Sequence, residues 1–293
     1  MNHNQVMRID NPPVAIININ SGQHNEKHHD SYENLRQVPI VGKTALEHSL
    51  DEIMATGIRQ AIILADKNAG KIQKWVGNGE RWSIDLNIEI FRYSLEHQQI
   101  LDIFSPLSEP HGLLVIDAQK LRSQFIAKFI TIAKQCIRPV ITAHLNGSDI
   151  GLSYLTKTQN EIVTKNLELS EKEIYVNQLA SMSDYFNANL DALNGKFTGI
   201  QPKAKQINNS GLFRHHHTFI HSHCRMDNNV MIGEHCHVSK NTQLKNVVLN
   251  NDIYVDKNSK LENVIVLPST YIGKSCRIRN AVITADKIIN IST

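Results

Sequence analysis

Between Arg214 and His237 the chain carries His215, His216, His217, His221, His223, His235 and His237, the sharpest local bias in a sequence with 15 histidines. Neutral imidazole is a ligand for divalent metals and a general base near neutral pH. A metal site would draw on His215, His217, His221, His223, His235 and His237. A single histidine could instead act as a base. A third reading, which we favour, is structural: His221, His223, His235 and His237 flank Ile220, Cys224, Ile232 and Cys236, as outward residues of a repeating element would. The four cysteines, Cys136, Cys224, Cys236 and Cys276, are too few and too dispersed for a disulfide framework or a paired C-x-x-C zinc site. Packing explains them better.

The element that must position these residues is a repeat. Ile220, Met226, Ile232, Val238 and Leu244 fall six apart; Leu249 follows after five; Val255, Leu261 and Leu267 resume the six-residue step; Ile272 follows after five and Ile278 after six. Neither a helix of period 3.6 nor a strand of period 2 keeps such a register. Four residues after each stand Cys224, Val230, Cys236, Thr242, Val248, Ile253, Ser259, Ile265, Tyr271, Cys276 and Val282, nearly all small or β-branched. These are expected to point inward as well. The pattern is that of a left-handed parallel β-helix, three short rungs to a triangular coil. One coil cannot bury its own aliphatics, so coils must stack, and flat outer faces favour a homo-oligomer.

Upstream, residues 14–19, 61–65, 86–91 and 112–116 read as strands, while 44–57, 72–76 and 125–137 read as helices. Thr44 and Glu47 form a capping-box pattern. Strands alternating with helices predict a mostly parallel, Rossmann-like α/β sheet. We therefore divide the chain into an α/β domain at 1–195, a linker at 196–219 and the β-helix at 220–293. Charge is nearly balanced, 31 Lys and Arg against 28 Asp and Glu, without the basic and aromatic groove of a nucleic-acid binder. No 18-residue apolar run and no signal-peptide pattern is present, so a cytoplasmic protein without a membrane partner is expected. Trp75 and Trp82 are expected to pack against the sheet, and Cys136 to lie in the core of the helix at 125–137.

Four stretches carry a family resemblance. VPIVGKTALEHSL at 38–50, followed by Gly57-Ile58 and a strand, resembles the L-P-V-x-G-K-P-x-L-E-H-x-L segment of sugar-phosphate nucleotidyltransferases. GNGERWSI at 77–84 is similar to their G-D-G-S-x-x-G-V, and SDYFNANLDAL at 183–193 to their P-x-D-Y-x-x-A-N-x-x-L-L helix. A β-helix follows in the branch that resembles mannose-1-phosphate guanylyltransferase. The resemblance implies a nucleotide- or sugar-nucleotide-binding domain that uses Mg²⁺ and releases pyrophosphate. Three of its chemical motifs are altered here. The loop G-G-x-G-T-R-L is reduced to Ser21, Gly22, Gln23 and His24. The P-K-P positions hold Asn34, Leu35 and Arg36. The N-G-D triplet falls on Asp117, Ala118 and Gln119, which puts a neutral amide where a carboxylate should bind metal. Arg36 and Asp117 stand one and two positions from the lost groups and are the catalytic candidates; Ser21, Gly22 and Gln119 are the nucleotide-binding ones.

The expectation is a catalytically impaired homologue that binds a nucleotide or sugar nucleotide, or assembles with itself or an active paralogue, in sugar-nucleotide or surface-polysaccharide synthesis. Mg²⁺ is expected only if transfer survives. The alternatives are an active sugar-1-phosphate nucleotidyltransferase and, since β-helix acyltransferases resemble the C-terminal half, acyl transfer by one histidine.

Overall fold

Strand β1 (Val14–Asn18) is an apolar run with a fully buried centre, as expected of a strand covered on both faces. In the computed structural model, which describes residues 8–20, 38–66, 69–136, 138–157, 163–207 and 211–291, it lies inside a seven-stranded sheet. The other strands are β2 (Gln60–Ala65), β3 (Asp85–Ile90), β4 (Leu113–Asp117), β5 (Val140–Leu145), β6 (Ser148–Leu155) and β7 (Thr164–Leu169), in the order β3-β2-β1-β4-β6-β5-β7. The first four are mutually parallel. β6 is antiparallel to both neighbours, and β7 is parallel to β5. The architecture is mixed α/β, and the antiparallel strand and its neighbours come from residues 140–169, where the sequence reading assigned no element.

Helices α1 (Ala45–Thr56), α2 (Ala69–Val76), α3 (His97–Phe104) and α4 (Ile126–Lys134) accompany this sheet. Leu46, Leu50 and Ile53 of α1 and Ile126, Phe129 and Ile130 of α4 join one core with Ile17, Ile63 and Ile116. Each such aliphatic removed from water contributes about 1.5–3 kcal/mol. Trp82 is buried as expected and its indole N–H donates to Asp51 Oδ1 at 2.8 Å, whereas Trp75 is 38% exposed and so is not the packing residue its type predicts. Glu47 meets Arg81 at 2.8 Å.

Contacts divide the chain into two units, residues 1–31 with 46–176 and residues 32–45 with 177–293. In the second, parallel strands stack in register from coil to coil. Gln243 pairs with Lys260 and Lys260 with Arg277; on another face His237 pairs with Tyr254 and Tyr254 with Tyr271. Each of these steps spans 17 residues. The first coil is one longer, the extra residue falling in a register shift between Asp227 and Val230. Interior residues recur at steps of six, six and five: Ile232, Val238, Leu244, Leu249, Val255, Leu261, Val266, Ile272, Ile278 and Ile283.

Two expectations need correction. The second five-residue step lies between Leu261 and Val266, so Val266 and Thr270 are buried while Leu267 is partly exposed and Tyr271 is 63% exposed. Val248, Ile265 and Val282 do not point inward. The interior row is Val230, Val247, Val264 and Ala281, and Met231, Val248, Ile265 and Val282 form the row beside it. That second row is buried too, because helix α5 (Met182–Leu193) packs across these four strands. A covered outer face erases the alternation by which sequence separates inside from outside. Cys236 is buried in the coil interior, and Cys224 and Cys276 pack against it, as expected.

The coils turn at residues with left-handed backbone. His217, His235, Asp252 and Ser269 have φ of 56°, 54°, 58° and 58°; Asn246, Asn263 and Asn280 have 55°, 52° and 48°. Asn and Asp visit this region most readily among residues with a side chain. The last three also form a ladder, each Nδ2 donating to the Oδ1 of the next coil at 3.0 and 2.9 Å.

Two stretches of the family resemblance meet here. Tyr185 donates its hydroxyl to Pro39 O at 2.7 Å, and Asn189 Oδ1 accepts the Val41 amide at 3.0 Å. Gly42 follows at φ 88°, where a Cβ would come within 2.7 Å of Met231 Cε. Burial pushes the Tyr185 phenol far above its ordinary value, so it serves as a donor at all physiological pH. These residues hold a turn against the coils.

Candidate functional site

The order β3-β2-β1-β4 reverses direction between β1 and β4, and a crevice opens at the carboxyl ends of strands at such a point. Asn18 ends β1 and Asp117 ends β4, paired side by side. A cavity of about 210 Å³ lies there, lined by Asn18, Asp117 and Val115, by Ser94, Leu95, His97 and Ile100 from the turn after β3 into α3, and by Asp149, Gly151 and Ser153 of β6.

The polar side chains are linked. Asn18 donates through Nδ2 to Ser94 Oγ at 2.7 Å and accepts the Asn20 amide at 3.0 Å. Asn20 donates to the carbonyls of Phe91 and Tyr93, both at 3.3 Å, and its buried Oδ1 has no hydrogen-bond partner among the described residues. Asp117 Oδ1 accepts the Gln119 amide at 3.0 Å, tightening the turn after β4. The side-chain amide of Gln119 donates to the Asn20 carbonyl, which ties that turn to the chain leaving β1. Burial holds the His97 imidazole below its ordinary value, with Asp149 and Glu96 opposing, so the ring is neutral at pH 7.

Lys120 lies between the two carboxylates. Its Nζ is 3.5 Å from Asp117 Oδ2, 3.2 Å from Asp149 Oδ2 and 2.9 Å from Asp149 O. Asp149 Oδ1 in turn accepts the Gly151 amide at 2.7 Å. Mg²⁺, which the family resemblance implies, does not fit this arrangement. It requires oxygen ligands at about 2.0–2.1 Å in near-octahedral array. Here the candidate oxygens surround an ammonium, and the Gln119 amide is turned to a backbone carbonyl.

Of the residues singled out in the sequence, Asp117 and Gln119 belong to this site, whereas Ser21, Gly22 and Arg36 lie outside the described residues. Asn18, His97, Lys120 and Asp149 were not anticipated. The spacing of Asp117 and Lys120 is a local signal that could have been read; Asp149 joins them only because β6 pairs with β4.

The histidines belong to the coiled unit. The rings of His217 and His235 are 5.8 Å apart, and His235 Nδ1 lies 3.3 Å from Asp252 Oδ1. His221 and His223 stack at 5.2 Å, and His215 meets His216 edge-on at 5.7 Å. His237 is stacked between Phe219 and Tyr254 at 4.6 Å on each side. Among the described residues no group of three or more His, Cys, Asp or Glu side chains is placed to hold a metal ion. Burial raises the Cys236 thiol to about 11, which makes it a poor nucleophile at pH 7. Among the described residues no helix is long and apolar enough to cross a membrane.

A search of curated proteins returned no match to this chain. Its residues 209–291 match the family model described as the GMPPB C-terminal domain, that of mannose-1-phosphate guanylyltransferase beta.

Proposed function

We propose that this protein is a sugar-nucleotidyltransferase homologue that has lost nucleotidyl transfer, with a shortened Rossmann-like domain followed by a left-handed β-helix. It serves sugar-nucleotide or surface-polysaccharide synthesis by binding a nucleotide or sugar nucleotide and by assembly. The observation that carries this reading is Gln119. In the family motif its position calls for a metal-binding carboxylate, and here its amide is spent on bridging the turns after β1 and β4 through the Asn20 carbonyl. Transfer to a sugar phosphate needs concentrated positive charge on the triphosphate. With the metal-binding carboxylate replaced, that charge is not assembled. The test is pyrophosphate release from a panel of sugar 1-phosphates and nucleoside triphosphates with Mg²⁺ present. No turnover is expected, together with a thermal shift on adding GDP-mannose or GTP. Turnover that disappears in Asp117→Ala would establish an active transferase instead.

A second observation favours assembly. Phe219, His237, Tyr254 and Tyr271 form a continuous aromatic row on one outer face, with Phe219, Tyr254 and Tyr271 52%, 41% and 63% exposed. Lys240, Lys257 and Lys274 follow the row at one corner, with Asp256 among them, and Glu234 and Asp252 precede it at the other, beside His235. A two-fold axis along the coils sets the lysines of one copy against the carboxylates of a second. Light scattering is expected to give an oligomer that Tyr254→Ser/Tyr271→Ser weakens; a wild-type monomer overturns this part of the reading.

A further inference from the structure

The ammonium of Lys120 has three donors, and three oxygens face it: Asp149 O at 2.9 Å, Asp149 Oδ2 at 3.2 Å and Asp117 Oδ2 at 3.5 Å. The fold makes room for the arm that carries it. Gly151 has φ 80°, and a Cβ there would come within 3.2 Å of Lys120 Cδ and 2.9 Å of Asp117 Cβ. The lysine side chain is 16% exposed and that of Asp117 29%, while Asp149 stands at the rim, 48% exposed. Two carboxylates from different strands, brought together at the mouth of a cavity, repel each other unless a cation lies between them. In this protein the cation in contact with both carboxylates is the covalently attached Lys120, with the buried Arg122 also within reach of their charge.

We propose that Lys120 is the resident cation of this cleft, holding the place between Asp117 and Asp149 that a divalent ion would otherwise take. The carboxylate pair is then a latent metal site kept closed by the chain itself. This goes beyond the loss of transfer activity, because it concerns what occupies the pair whichever ligand the cavity accepts. It also separates two causes of metal independence. Gln119 removes a ligand, whereas Lys120 fills the position with charge of the same sign as the metal. Restoring a carboxylate at residue 119 alone would not restore the site.

The test uses the full chain and Mn²⁺, followed by electron paramagnetic resonance of the free ion. Mn²⁺ suits carboxylate and carbonyl oxygens. Asp149→Asn in the wild-type background sets the contribution of all other sites, and wild type is expected to match it. Lys120→Met removes the charge while keeping an unbranched chain. It is expected to gain one site, binding Mn²⁺ at least about tenfold more tightly than wild type, a change of about 1.4 kcal/mol. Lys120→Met/Asp149→Asn should lose that site, and Lys120→Arg, which keeps the charge, should not gain it. Fluorescence of buried Trp82 checks that each variant is folded. If Lys120→Met misfolds, Lys120→Gln repeats the experiment. The proposal is overturned if Lys120→Met gains no site. It is equally overturned if wild type binds Mn²⁺ as tightly as Lys120→Met and loses that binding in Asp149→Asn. Nucleotide binding enters neither outcome, so the result stands apart from the proposed function.

Discussion

Replacing Glu52 by Gln should unfold the N-terminal unit at markedly lower denaturant concentration. Glu52 stands on α1 with its carboxylate buried; Oε1 accepts the amides of Phe125 and of Ile126, the latter at 2.6 Å, where α4 begins, and Oε2 lies 3.7 Å from Arg122 NH2. Burial pushes the Glu52 carboxyl up and the Arg122 guanidinium down, each against the pull of the other. Among the described residues the guanidinium nitrogens of Arg122 have no hydrogen-bond partner, so Glu52 is the main compensation for its charge. Glutamine keeps an acceptor for the two amides and removes only the charge. Breaking one partner from a buried pair costs about 3–5 kcal/mol. The residual pull of Asp117 and Asp149 on Arg122 sets the expectation at the lower end, near about 3 kcal/mol. For a unit of this size that is a fall in Tm of roughly 6–12 °C. Trp75 and Trp82 both lie in this unit, so tryptophan fluorescence during urea or thermal unfolding reports it specifically. Glu52→Gln/Arg122→Met, which removes both charges, should recover most of the loss. A single variant costing under about 1 kcal/mol, or a double variant no better than the single, would refute the argument that charge burial governs this site.

Asn263→Ala should destabilise the coiled unit by about 1–3 kcal/mol, since it forces alanine into left-handed backbone and cuts both ladder bonds. Asn263→Gly, measured by circular dichroism, should regain the backbone part; equal losses would show that the ladder bonds alone matter. His97 gives the N-terminal unit an acid sensitivity. The unfolded chain takes up a proton at the ordinary imidazole value of 6.5, while the buried ring resists, so stability falls as pH drops below that value. Comparison of wild type with His97→Gln between pH 7 and 5 isolates the histidine, whose removal should flatten the slope; parallel curves would contradict the assignment.

Much of the coiled unit was legible because its signal is local and repeated. Spacings of five and six residues placed Ile220, Val238, Leu249 and Val255 in the interior and explained Cys224, Cys236 and Cys276 as packing residues. Where the pattern misled, the cause was tertiary. Val248, Ile265 and Val282 are as apolar as true interior residues because α5 covers them. Tyr271 was placed inward because Leu267 and Val266 are both aliphatic, and only strand pairing selects Val266.

The candidate site divides in the same way. The sequence by itself places Asp117, Gln119 and Lys120 together, because they belong to one short segment. It could not determine that Asp149 stands beside them, since the alternation of Ile150, Leu152 and Tyr154 marks a strand but not the neighbour with which that strand pairs. Only the folded sheet, by setting β6 against β4, gives Lys120 its second carboxylate, because the partner of a charge is chosen by distance in space rather than along the chain.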